Sequence, residues 1–290
     1  MNVSPCKLIP RSFLESCGRL LAALCICLIG SLPLKADQSL ERLFGLGPLE
    51  TFTINSATLD RAFYIYVRLP LNYAETSCNW PVVYLLDGGI LFPMLAPHQL
   101  MMEFDEQAAP VVMVGISYGG LGFSNGNLRS TDYTAPADEP EYYGGAFDYQ
   151  DFLANELIPK IEADYRIDQT DSLILGQSLG GQFTLLSALT RPNLFGHYLS
   201  INPALHANVD YFIQLEPVRR SEPTPLLLTR STEERARFST PLQRWLNHWQ
   251  RASNEALELD IRWLSGQYHA SSAPAAYREA IDWWSPSKCE

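Results

Sequence analysis

The stretch Ser172–Leu189, SLILGQSLGGQFTLLSAL, decides how the rest of the chain is read. It opens as a short apolar run, SLIL, that reads as a buried strand. It closes as LGGQFTLLSAL, a run with the composition of a helix. Between them, Gly176-Gln-Ser178-Leu-Gly180 places small residues around one serine. Small neighbours let the backbone fold sharply, and a serine at such a strand-to-helix turn presents its hydroxyl at the end of the strand. The same spacing recurs at Gly115-Ile-Ser117-Tyr-Gly119, but GGLGFSNGN follows there, which cannot form a helix. Ser178 is therefore the preferred nucleophile over Ser117.

On either side of this stretch, strands and helices alternate. Residues 50–56 and 61–69 (RAFYIYVRL) read as a pair of strands rich in aromatic and β-branched residues. Pro81–Leu86 and Val111–Ser117 are continuous apolar runs, as expected of strands buried on both faces. Residues 118–145 are polar and Gly-rich, too long for an ordinary connection and so a candidate functional loop. The spacing of Leu153, Leu157 and Ile161 predicts a helix over 147–165, kinked at Pro159. Short strands are predicted at Ser172–Leu175, Tyr198–Ile201, Pro225–Thr229 and Leu259–Leu264, and helices at Leu179–Leu189, 241–252 and 273–284. This alternation implies an α/β fold, a mostly parallel sheet with helices on both faces.

The chain has 290 residues, 47% apolar and 18% charged, with a formal net charge of −11. That composition excludes disorder. The acidity excludes a general nucleic-acid partner, because no basic surplus exists to displace counterions from phosphates. Lys7, Arg11 and Arg19 precede an uncharged apolar run, Leu20–Leu34, and Ala36 supplies a small residue before Asp37. This order predicts a secretory signal peptide over 1–36. The run has 15 residues, short of the ~20 that span a bilayer. An uncleaved N-terminal anchor is the alternative; otherwise no stable membrane insertion is expected, and the location is periplasmic or secreted. The expected mature part, 37–290, is a single domain with 17 basic and 31 acidic residues, net −14, and only Cys78 and Cys289. An oxidising compartment permits a disulfide between them.

A serine hydroxyl needs a base, and histidine suits neutral pH. His269 follows the last strand, on a loop opening at the same sheet edge as the Ser178 turn, and is preferred over His206. The carboxylate should lie after the preceding strand, where Glu234 is the first choice and Glu233 the second. First-turn helix glutamates would give the same pattern without a catalytic part. An oxyanion hole needs two backbone N–H donors. Leu179 follows the nucleophile, and Gly89 sits in the Asp87-Gly88-Gly89 turn after the 81–86 strand. Arg129, Tyr142 and His206 are expected to line or rim the substrate pocket, with Arg129–Asp132 as a competing ion pair.

VVYLLDGG (82–89), VVMVGISY (111–118), Arg129-Ser-Thr-Asp132-Tyr-Thr134-Ala-Pro136 and ELIPKIEADYRID (156–168) lead into GQSLGG (176–181). Together they resemble the esterase family of α/β-hydrolases that contains the enterochelin and salmochelin esterases. The resemblance covers most of 50–290. It implies an α/β-hydrolase fold and a serine carboxylic-ester hydrolase working through an acyl-serine intermediate, with no cofactor and no metal. It maps the nucleophile onto Ser178 and the base onto His269. The acid loop departs from the family pattern, reading Ser231-Thr-Glu233-Glu234 where the family carries Gly before Glu. The partner implied is a small-molecule ester, with siderophore trilactones, feruloylated or acetylated sugars and simple acyl esters all open. A net charge of −14 would repel anionic ferric siderophores at long range. An acyltransferase of the same family, or a catalytically silent binding protein on the same fold, are the other readings.

Overall fold

A computed structural model describes residues 43–120, 126–252 and 254–289. The expected leader, 1–36, lies outside the described residues. Among the described residues, eight strands form one sheet: β1 (Leu49–Ser56), β2 (Arg61–Arg68), β3 (Trp80–Leu85), β4 (Val112–Ser117), β5 (Ile167–Gln177), β6 (His197–Ile201), β7 (Thr224–Ser231) and β8 (Leu257–Leu264). Their order is β1-β2-β4-β3-β5-β6-β7-β8. Only β2 is reversed, antiparallel to both β1 and β4; β3 to β8 pair in parallel. β3 and β4 are buried along their whole length, as their unbroken apolar runs require.

The helices cover both faces. Helix α1 (Gly88–Phe104) and the C-terminal α7 (Ala273–Trp284) close one core around Val83, Leu85, Leu175 and Leu227. The second core, around Val82, Tyr84, Ile174 and Leu228, lies under α3 (146–164), α4 (Leu179–Thr190) and α6 (Ala236–Ala252). The short helices α2 (Arg129–Asp132) and α5 (Val209–Gln214) lie in connections. α3 consists of Ala146–Phe152 and Ile158–Asp164 joined by a π-helical turn, Leu153–Leu157. That turn marks where Pro159 was expected to act: the missing N–H is absorbed by one widened turn, and the helix continues to Asp164.

Two elements start five residues earlier than the sequence suggests. β5 begins at Ile167 rather than Ser172, because the polar Asp168–Asp171 stretch is a bulge in the pairing with β3. There the Asp168 carboxylate accepts from the Thr170 N–H and hydroxyl at 2.9 and 2.6 Å. α6 begins at Ala236 and holds Pro241 inside it. Its first turn closes on the Arg235 carbonyl, which accepts from Phe238 and Ser239 N–H. Cys78 and Cys289 are joined as a disulfide, with Cα atoms 5.9 Å apart. Among the described residues, no helix is long and apolar enough to cross a membrane.

Candidate active site

The parallel strands β3 to β8 bring their carboxyl ends to one edge of the sheet, and the predicted Ser178, His269 and Glu234 meet there. Ser178 is the hinge between β5 and α4, with φ 61° and ψ −112°. A non-glycine residue at positive φ is strained. Its neighbours hold it there. Ser178 N–H donates to Ile201 O at 2.9 Å, and Ser178 O accepts from Gln182 and Ala204 N–H. The turn tolerates no side chain at two glycines. A Cβ on Gly176 would lie 2.4 Å from Gly180 O, and one on Gly181 would lie 2.6 Å from Ile201 O. Gly180, the last glycine of the G-x-S-x-G spacing, has ordinary room, 3.7 Å.

His269 arrives on the loop after β8. Its Nε2 lies 2.9 Å from Ser178 Oγ, and its Nδ1 lies 2.5 Å from Glu234 Oε1. Glu234 accepts, so Nδ1 carries the proton and Nε2 presents its lone pair to the serine hydroxyl. The Glu234 side chain is 2% exposed and that of His269 18%. Glu233, the second choice, points elsewhere: it is exposed and accepts from Thr232 Oγ1. The loop carrying His269 is fixed from below. Gln177, next to the serine, donates its amide to His269 O at 2.5 Å. Buried Asn202, at the end of β6, donates to Ser231 Oγ and Ser272 Oγ at 2.9 and 2.7 Å. Its own carbonyl accepts from Ser231 N–H. One amide therefore ties the ends of β6 and β7 to the His269 loop. Neither Gln177 nor Asn202 stood out in the sequence, since a polar residue after a strand is the common case.

The proposed donors of an oxyanion hole lie in the first turns of two helices, Leu179 in α4 and Gly89 in α1. Backbone N–H groups there have no intrahelical acceptor. A cleft of about 350 Å³ opens over Ser178 and His269, walled by Ile90, Leu91 and Ala270 and by the Asp87–Arg129 pair. Gly89 also borders a smaller neighbouring cavity beside Ser117, whose hydroxyl accepts from Gly119 N–H.

Arg129 reaches the cleft, but the expected Arg129–Asp132 pair does not form. Arg129 clasps Asp87 with two bonds, Nε to Oδ1 at 2.8 Å and Nη2 to Oδ2 at 2.7 Å. Asp132 is instead held by Arg61 and by the Tyr118 hydroxyl at 2.7 Å. Three residues apart on α2, Arg129 and Asp132 face different partners brought by β2 and by the β3–α1 turn. Tyr142 is 59% exposed and packs edge-on against Tyr143. His206 sits beside the site in contact with α6, its Nε2 2.9 Å from Arg237 Nη2. Burial, then Arg237 and then His269 push the His206 pKa below its ordinary value. Arg230 lies under α6, bonded to Gln243 and stacked on Trp263.

A largely parallel sheet, a strained serine between strand and helix, and a histidine and carboxylate delivered by later loops define an α/β-hydrolase. Residues 56–275 match the family described as "Putative esterase", and the chain belongs to that family, an enzyme of the serine-esterase kind. Ferri-bacillibactin esterase BesA of Bacillus subtilis (strain 168) is 28% identical over 279 residues, 84% of this chain and 94% of that protein. The siderophore hydrolase EstB from Aspergillus nidulans superposes with a TM-score of 0.69 at 18% identity, covering 81% of this chain and 94% of that one. The enterobactin hydrolase IroE in complex with DFP superposes with a TM-score of 0.64 at 20% identity, covering 82% and 95%.

Proposed function

We propose that the protein is an exported carboxylic-ester hydrolase working through an acyl-serine intermediate, with siderophore esters as its substrate class. The observation that carries the chemistry is the continuous relay Glu234–His269–Ser178, with contacts of 2.5 and 2.9 Å. His269 takes the Ser178 proton as Oγ attacks the ester carbonyl, and Glu234 stabilises the imidazolium that forms. The Leu179 and Gly89 N–H groups receive the negative charge developing on the carbonyl oxygen. His269 then protonates the departing alkoxide. In the second half it deprotonates water, which releases the acid and restores the serine.

The substrate class rests on the named activities of the relatives, BesA above all. Arg129, spent on Asp87, serves that substrate as a wall of the cleft rather than as a bare cation. Export is supported by the charge and apolar order of residues 1–36 and by the Cys78–Cys289 disulfide, which belongs in an oxidising compartment.

A fluorophosphonate probe tests the chemistry: wild type is labelled and Ser178→Ala is not. Absence of labelling in wild type would remove the enzyme mechanism. Initial rates of residues 37–290 on a panel of catecholate trilactones, feruloyl esters and short acyl esters test the substrate. Preference for either of the last two would overturn the siderophore reading while leaving the esterase intact.

A further inference from the structure

One face of the His269 ring is covered by an aromatic side chain that the relay itself does not use. The Phe238 and His269 rings lie nearly parallel, 14° apart, with centroids separated by 4.0 Å. That spacing leaves no room for water between them. Phe238 is braced in turn. The His206 ring meets it edge-on at 5.3 Å and 84°, and the Arg237 guanidinium lies 5.4 Å from its centroid. Arg237 also bonds His206 Nε2. An arginine only donates, so His206 accepts through a neutral ring. The backbone beneath Phe238 is closed by its own N–H to Arg235 O bond at 2.9 Å.

The two edge contacts of His269 lie on opposite sides of the imidazole. They leave one motion open, a rocking of the ring plane about the line from Glu234 to Ser178. Stacking blocks that motion. It also places a π face against the ring that becomes cationic when the serine proton is taken.

We propose that Phe238 is a positioning residue: it holds the plane of His269 so that the Nε2 lone pair stays on Ser178 Oγ, and it keeps water from that face. The inference rests on Ser178 and His269 being the reacting pair. The support is the geometry of a braced aromatic ring on one specific histidine.

The experiment compares variants that remove the ring but keep apolar bulk, Phe238→Leu and Phe238→Met, with variants that keep a ring, Phe238→Tyr and Phe238→Trp. Two rates are read: labelling by a small alkyl fluorophosphonate, which needs the activated serine but offers little to a substrate pocket, and turnover of p-nitrophenyl acetate. Loss of the ring should lower kcat and the labelling rate about tenfold, with KM within about twofold, the scale of one aromatic contact. Tyr and Trp should restore both rates. A folded Phe238→Leu protein with wild-type labelling, or a loss confined to KM, overturns the proposal.

A proton NMR readout on wild type does not depend on any variant of Phe238 folding. The His269 Cε1–H resonance, identified by its absence in His269→Gln, should be displaced upfield by the ring current, and an undisplaced resonance overturns the stacking. Wild type that resists the probe, or Ser178→Ala that reacts with it, overturns the underlying assignment of Ser178 instead.

Discussion

Replacing Glu234 by Gln is the sharpest test of the relay. The substitution keeps shape and leaves a carbonyl oxygen facing His269 Nδ1, so the 2.5 Å contact can persist while its charge is lost. In the resting enzyme the partner ring is neutral and little changes. In the transition state the ring is an imidazolium roughly 4 Å from the carboxylate centre. With an effective dielectric near 20, that attraction is worth about 4 kcal/mol. Its loss corresponds to about a thousandfold in kcat. Glu234 Oε2 has no hydrogen-bond partner among the described residues, so the carboxylate acts on His269 through one oxygen and no second anchor softens the effect. Steady-state hydrolysis of p-nitrophenyl acetate by wild type, Glu234→Gln and Glu233→Gln measures this. The expected pattern is a loss of about 10³ in kcat at nearly constant KM for the first variant, and less than about twofold for the second. A Glu234→Gln enzyme within tenfold of wild type, or a Glu233→Gln enzyme equally impaired, would show that Glu234 is not the acid.

Three further outcomes are expected. Gly180→Ala should keep its activity, whereas Gly176→Ala and Gly181→Ala should lose activity and about 2 kcal/mol or more of stability in urea melts, because their Cβ atoms would meet backbone oxygens at 2.4 and 2.6 Å. An equal loss at all three would contradict the steric account. Reducing the Cys78–Cys289 bond, which closes a separation of 211 residues, should cost about 2–5 kcal/mol, read as a lower urea midpoint in reductant; an unchanged midpoint would refute it. His98, His197 and His206 all have pKa values below the ordinary 6.5, with burial the leading cause in each. Between those folded values and 6.5 the unfolded chain binds more protons than the native one. Their stabilisation is therefore complete above about pH 7 and lost as pH falls below 6.5. A Tm that rises from pH 7 to 5.5 would contradict this.

The elements legible in the sequence were those whose reading depends on local pattern. β3 and β4 are unbroken apolar runs buried on both faces, and the Ser178 turn follows from small residues between a strand and a helix. The Ser178, His269 and Glu234 side chains come together because parallel strands share one edge; chain order indicates this for Ser178 and His269 but does not choose between Glu234 and Glu233. What stayed hidden depends on partners from elsewhere. Arg129 and Asp132 are three residues apart and looked like a pair, yet Asp87 and Arg61, 42 and 71 residues away, take them. The start of β5 is masked by a polar bulge. Phe238 escaped notice because Pro241 reads as a helix start, while a hydrogen-bonded turn extends α6 backwards to carry that ring onto His269. Asn202 is an unremarkable residue type at a strand end, and only the three-dimensional meeting of β6, β7 and the His269 loop makes it a junction.

The φ of 61° at Ser178 sets durability against function at one residue. Holding an L-residue there costs on the order of 1–3 kcal/mol, a cost that glycine does not bear. A Ser178→Gly change would therefore be expected to yield a protein that melts higher while losing the hydroxyl proposed as the nucleophile. Selection for thermal endurance alone would push this position toward a sturdier, inert descendant with its cleft intact. On the proposed assignment such a descendant would hold its ligand without cleaving it, so one codon would separate a hydrolase from a binding protein on the same scaffold.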